Sequence, residues 1–260
     1  MKETDNEDIF IYVEPEPDDH KGKKYELTDE TIILGTRTLH RIKALKDFSD
    51  VKKGDLGGFI ESETNLSHMG DCWIYDEAKV YDIATVTDNA QIKDYSVIRA
   101  GASVSEFAQI TDEALMEDNS SAKGSCYVAG NCHFLGNSKV YGKAYIESSI
   151  LGGNSQVCGS VRIHKTEITE NAIVCGNAIV VHAAFAGNCI VNSMSDFLTF
   201  HNWWSSGRTI TWTRSDNMWK AGCFRGTAKE LVQKAFKDSP VSGREYQRLV
   251  DYVDSVKEYL

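Results

Sequence analysis

From Ile74 onward an apolar residue returns every six positions: Ile74, Val80, Val86, Ile92, Ile98, Val104, Ile110, Met116, Ala122, Val128, Phe134, Val140 and Ile146. Two residues before each stands a small one, from Cys72, Ala78 and Ala84 through Ser96, Ser120, Cys126, Cys132 and Ser138 to Ala144. A six-residue period matches neither the 3.6-residue turn of a helix nor the alternation of a long strand. It predicts a triangular coil in which each side is a short strand, the aliphatic points into a prism, and the small residue lets the chain turn near the corner. Three hexads make one coil, so Ile74, Ile92, Ile110, Val128 and Ile146 stack as a first ladder. Val80, Ile98, Met116 and Phe134 form a second, and Val86, Val104, Ala122 and Val140 a third. After Ile146 the frame slips by one residue to resume at Val157 and Ile163, then slips again to Ile168, Val174, Val180 and Ala186. Residues 70–192 then supply roughly seven coils, a prism about 30 Å tall at the usual strand spacing.

The patterning changes on both sides of this block. Residues 1–23 form an acidic arm, read either as solvated chain or as an interaction tail imitating a polyanion. Residues 24–69 alternate apolar and polar through Thr38 to Leu45 and turn at Gly54, Gly57 and Gly58, which predicts a small β cap. Residues 193–260 form an α+β C-terminal cap. Four of the five tryptophans, Trp203, Trp204, Trp212 and Trp219, fall here. A hairpin is expected around Ser215-Asp216-Asn217, followed by two helices with capping boxes at Thr227/Glu230 and Ser242/Glu245. A solenoid needs such caps, because its terminal coils would otherwise expose core and strand edges. The fold class is therefore all-β, a parallel β-helix with two caps.

Composition narrows the function. The chain has 260 residues and a net charge of −10, and no apolar run approaches the ~18 residues of a membrane span. No signal peptide opens the sequence, and a cytoplasmic protein is expected. The acidity argues against duplex DNA as a partner. Seven cysteines without a CxxC pair read as small buried residues in a reducing compartment, and no metal or cofactor is expected.

Three stretches resemble one family: Leu34 to Ile42 (LGTRTLHRI), Asp55 to Ile60 (DLGGFI) with Asn65-Leu66-Ser67, and Gly70 to Tyr75 (GDCWIY) opening the hexads. They are similar to the YdcK-like hexapeptide-repeat proteins of phage and prophage type, as is Gly222 to Thr227 (GCFRGT) before a helix. The resemblance covers about residues 24–258. It implies a left-handed β-helix and a homotrimer, and, if phage-encoded, the cytoplasm of a bacterial host. Fold alone does not fix activity.

Hexapeptide β-helices are often acyltransferases, in which a histidine acts as general base and acyl-coenzyme A lies in a groove between subunits. The candidates are His133, His164 and His182, with His133 and His182 ahead. No recognisable spacing pairs either with a carboxylate. Each reads first as a solvated or structural histidine. Val97, Leu115 and Leu135, with Tyr81 and Arg99 around them, place an outward apolar column on the second face, the expected oligomer interface. Two cationic clusters are candidates for an anionic ligand: Arg37, His40, Arg41 and Lys43 in the N-terminal cap, and Arg208, Arg214, Lys220 and Arg225 interleaved with Trp204, Trp212 and Trp219. Three functions follow. The first is a non-catalytic oligomer binding a nucleotide-like small molecule, in its sharpest form a sponge for a host defence signal. The second is an acyltransferase, and the third a structural phage or scaffold protein.

Overall fold

The computed structural model describes residues 22–260, so most of the acidic arm lies outside the described residues. The block from Trp73 to Val191 is a β-solenoid of about seven turns with three parallel sheets, and each sheet takes seven strands from it. Register follows the hexads: Ile92 pairs with Ile74 and Ile110, and Ile98 with Val80 and Met116. The ladder residues from Ile74 to Ile146 are buried, as are the small residues two positions before them. Cys72, Cys126 and Cys132 are among these, Cys189 holds the same place before Val191, and burial pushes the Cys132 thiol up to about 11 and those of Cys126 and Cys189 up to about 12. Buried thiols of this kind fill space in the prism, and burial disfavours their thiolate form.

The corner itself is built by a different residue than the small one. Two positions after each ladder residue the backbone is left-handed, at Asp76, Asp94, Asp112, Gly130, Ser148, Lys165 and His182 along the edge between the first and second faces. Asp and Gly tolerate this conformation, which most L residues avoid. Each aspartate also reaches up one coil: Asp76 accepts the amide of Asp94 at 3.2 Å, Asp94 that of Asp112 at 3.0 Å, and Asp112 that of Gly130 at 2.7 Å. On the edge between the third and first faces Gly124, Gly142, Gly159 and Gly176 take this place, and a Cβ on Gly142 would lie 2.8 Å from the Gly159 carbonyl oxygen. On the neighbouring edge Asn137, Asn154, Asn171 and Asn188 join side chain to side chain at 3.0 Å per step.

The slip after Ile146 is one device repeated three times. Between Ile146 and Leu151, Ile163 and Ile168, and Val180 and Phe185, the corner has five residues instead of six, so the last coils have seventeen. The inward residue after Val180 is therefore Phe185, fully buried, and not the Ala186 of the six-residue frame. The shortening falls always at the same edge.

Both ends are closed by hydrogen bonds. Below, β1 (Tyr25–Leu34), β2 (Arg37–Ala44) and β3 (Leu56–Ile60) extend the second face, with β3 parallel to Lys79–Val80. The amides of Phe59, Glu61 and Ser67 donate to the carbonyls of Ala78, Val80 and Val86. Asn65 Nδ2 donates to Asp82 and Ala84, and the buried Lys24 Nζ to Cys72 O at 2.7 Å and Gly70 O at 3.3 Å. Above, Thr211 Oγ1 accepts the amide of Ala184, Ser215 Oγ that of Ile190, and Asp196 Oδ2 that of Asn192.

The upper cap is a four-stranded antiparallel sheet, Phe197–His201, Thr209–Thr213, Met218–Ala221 and Phe224–Gly226, of which the sequence indicates the two central strands. Helices α1 (Ala228–Asp238) and α2 (Pro240–Val256) cover it. Thr227 and Glu230 form the expected capping box. The second helix starts one turn early, because Ser239 caps it ahead of Pro240, leaving Ser242 inside the helix as the amide that Ser239 accepts.

The expectation of seven small buried cysteines fails at three: Cys223 is exposed, and Cys158 and Cys175 are paired. Cys158 and Cys175 follow the inward Val157 and Val174, face outward on adjacent coils and are joined as a disulfide with their Cα atoms 4.5 Å apart. Side-by-side strands bring matched positions within bridging range.

Candidate functional site

The second face carries a constellation that sequence spacing hides. His133 precedes the inward Phe134, and Glu117 follows the inward Met116 one coil below, so both point outward on adjacent strands. His133 Nε2 and Glu117 Oε1 are 2.6 Å apart. Arg99, another coil down, donates from Nε to Glu117 Oε2 at 2.9 Å and adds its Nη2 to the same oxygen. The separation of sixteen is one coil less two residues, a diagonal neighbour in a solenoid. It corrects the expectation that His133 has no carboxylate partner. The hydrogen bond from His133, with Arg99 behind it, holds the Glu117 carboxyl below the usual carboxylate range. An ionised carboxylate there accepts from Nε2–H, and Nδ1 has no protein partner among the described residues. Val97, Leu115 and Leu135 are half-buried around this group, with Tyr81 at its lower end.

Directly above His133 in register is Ile150, then Glu167 and Ala184. These three enter the wall of a recess of about 350 Å³. Its floor is the shortened edge, with Ser148, Lys165, Thr166 and Ala183, and its roof is Arg208, Thr209 and Gly222 from the upper cap. Lys165 and Arg208 are exposed and form no ion pair among the described residues; Arg208 Nε donates to Ser206 Oγ at 2.7 Å. The recess thus lies on the edge where the repeat slips, between the last coils and the upper cap.

His182 lies one coil above Lys165 on the same edge. Its ring stands between those of His164 and His201, with centroids 6.1 and 6.0 Å away, and His164 Nδ1 is 3.4 Å from Glu147 Oε2. No hydrogen bond among the described residues orients the His182 ring toward a carboxylate. No group of His, Cys, Asp and Glu among the described residues has the geometry to hold a metal.

The two cationic clusters resolve mostly into architecture. Trp212 and Trp219 are buried in the core between sheet and helices, and Trp204 packs edge-on against Tyr246, so no tryptophan of this trio offers an open stacking face. Arg225 binds Asp216 at 2.8 Å and the Ala186 carbonyl at 3.2 Å, tying cap to solenoid. Arg214 lines a separate hollow with Lys257 and Glu258. Below, Arg41 is held by Glu30, Glu77 and the carbonyls of Gly57 and Asp76 over the Phe59 ring, Arg37 pairs with Asp82 and Glu61, His40 contacts the Thr28 carbonyl, and Lys43 pairs with Glu26. Lys220 donates to the Gly222 carbonyl. Of the cationic residues expected to bind a ligand, Arg208 alone reaches the recess, and Lys165 joins it from the solenoid.

No helix among the described residues is long and apolar enough to cross a membrane. No protein-family model matches the chain. A protein of Escherichia coli K12 named uncharacterized acetyltransferase YdcK is 41% identical over an alignment of 63 residues, and the match covers 21% of this chain. The match spans 19% of that protein's own length. The coils and this short match together fit a hexapeptide-repeat β-solenoid.

Proposed function

We propose that the protein is an acyltransferase with His133 as general base and Glu117 as the group that orients it. The observation that carries this reading is the 2.6 Å contact of His133 Nε2 with Glu117 on an outward face, beside a recess large enough for part of a small molecule. In the reaction an acceptor hydroxyl or amine attacks the thioester carbonyl of an acyl-coenzyme A and gives its proton to His133 Nδ1. The carbon–sulfur bond breaks and the leaving thiolate takes that proton from the imidazolium, while Glu117 stays ionised and stabilises the charged ring. Arg99 keeps the carboxylate in place. The half-buried column of Val97, Leu115 and Leu135 suits packing against a second and third copy, which would put this face in a groove between subunits.

The test is binding and turnover of acetyl-coenzyme A, followed by calorimetry and by release of the free thiol. The wild type is expected to bind and, with a suitable acceptor, to release thiol. His133→Asn should bind equally well and lose turnover by about 10²- to 10⁴-fold, the range of general base catalysis. Absence of coenzyme A binding by the wild type would remove the reading.

A second reading, a non-catalytic oligomer that sequesters a nucleotide-like signal, rests on the unpaired Lys165 and Arg208 in the recess. Its phage setting and anti-defence role belong to the same proposal. Thermal shift with cyclic nucleotides and cyclic ADP-ribose isomers, with the ligand recovered unchanged after denaturation, would support it. No shift across that panel removes it.

A further inference from the structure

We infer that the recess above His133 anchors the acyl acceptor, and that this acceptor is a compact anion, a phosphate monoester or a carboxylate, bearing its nucleophile about two strand spacings away. The inference rests on the acyl-transfer reading. Three observations lead to it, and the first is charge. Lys165 and Arg208 approach the cavity from opposite elements, one from the solenoid edge and one from the cap, and neither is neutralised among the described residues. Every other arginine named in the two clusters, Arg214 apart, is consumed by carboxylates or carbonyls within the protein. A lysine gives a mobile point charge and an arginine a planar fork, and together they enclose an oxyanion.

The second is the limit on that charge. Glu167 lines the same wall, so the lining holds two cations against one carboxylate. A net of one positive charge suits a single anionic group and opposes a polyphosphate chain, which would bring its remaining charge against Glu167. The same carboxylate accepts a hydrogen bond from a hydroxyl or ammonium group on the ligand.

The third is register. His133, Ile150 and Glu167 occupy matched positions on three successive strands, and Lys165 lies two residues before Glu167. The step from the anion site to the base is thus two strand spacings, about 10 Å. Ile150, about half exposed at 46%, is the apolar surface between them. An acceptor held at Lys165 and Arg208 must cross Ile150 to present its nucleophile at His133 Nδ1, so the recess works as a ruler on acceptor length.

The experiment has a binding arm and a turnover arm. In the first, inorganic phosphate is titrated into wild type and into Lys165→Ala, Arg208→Ala and His133→Asn, read by calorimetry and thermal shift. Both altered cations are exposed, so the fold should survive. Each cation change should weaken phosphate binding at least about tenfold, while His133→Asn leaves it unchanged. Phosphate affinity indifferent to both cation changes overturns the recess as an anion site. In the second, ω-aminoalkyl phosphates of increasing length are offered with acetyl-coenzyme A beside the matching ω-amino alcohols, which lack the phosphate. The expected result is an optimum length, a preference for the phosphates, and a raised KM with little change in kcat for Arg208→Ala. Equal turnover of acceptors with and without the phosphate overturns the acceptor assignment although acyl transfer stands. Phosphate held by Lys165 and Arg208 with no transfer to any acceptor overturns the acyl-transfer reading and keeps the anion site.

Discussion

Glu117 is shared by His133 and Arg99, and its protonation state decides what the second face can do. Its folded pKa lies below the unfolded value, so the cluster's contribution to stability is complete above the ordinary glutamate range near pH ~4.3 and is lost as pH falls through the folded pKa. Glu117→Gln removes the charge and keeps the shape. Denaturant midpoints of wild type and Glu117→Gln should therefore differ at pH 7 and converge toward pH 3; a constant gap would show that the carboxylate's charge is not what matters. Turnover should fall as well, because glutamine no longer favours the charged imidazolium. None of this was legible from His133 alone. The eye finds partners at spacings of two to four, whereas the pairing distance here is a coil less two, and it becomes readable only once the coil length is known.

At the scale of the element, the corner has two independent parts, and the sequence displayed both in different degrees. The small buried residue was plain at Ala78 through Ala144. The left-handed residue two places after each aliphatic was equally periodic, as Asp76, Asp82, Asp88 and Asp94 show, yet an aspartate reads first as a surface charge. Its carboxylate works inside the architecture, holding an amide one coil away. Asp112→Ala would keep the left-handed backbone at φ 61°, pay the Cβ strain with no compensating bond, and release the Gly130 amide to water. A loss of about 1–2 kcal/mol is expected in urea unfolding. Asp112→Gly, which relaxes the strain, should lose less, and an equal loss from both would show that the carboxylate bond alone carries the effect. The seventeen-residue coils were half visible: the frame slips are in the sequence, but their confinement to one edge is a three-dimensional fact, and with it the recess. The tryptophans misled in the opposite direction. Clustered indoles beside arginines resemble a stacking site, but a four-stranded sheet carrying two helices needs a core, and Trp212 and Trp219 supply it.

For the whole molecule, the prism was the most legible feature, because thirteen hexads in one frame leave a single geometry. The association of copies through the second face is a proposal with a direct check. Wild type should scatter light as a trimer at micromolar concentration, and Leu115→Arg, which places a charge in the half-buried column, should give a monomer with unchanged circular dichroism. A monomeric wild type would remove the groove between subunits from the mechanism while leaving His133, Glu117 and the recess within one chain.

The lower closure has one more consequence. A parallel strand edge with free carbonyls is a surface on which another copy can continue the sheet, and a stack of prisms end to end would be a fibre. Here Lys24, buried with Nζ on the Cys72 and Gly70 carbonyls, and Asn65, with Nδ2 on those of Asp82 and Ala84, occupy acceptors that a further coil would use. With the amides of Phe59, Glu61 and Ser67 on the neighbouring carbonyls, these two side chains oppose end-to-end growth at the base.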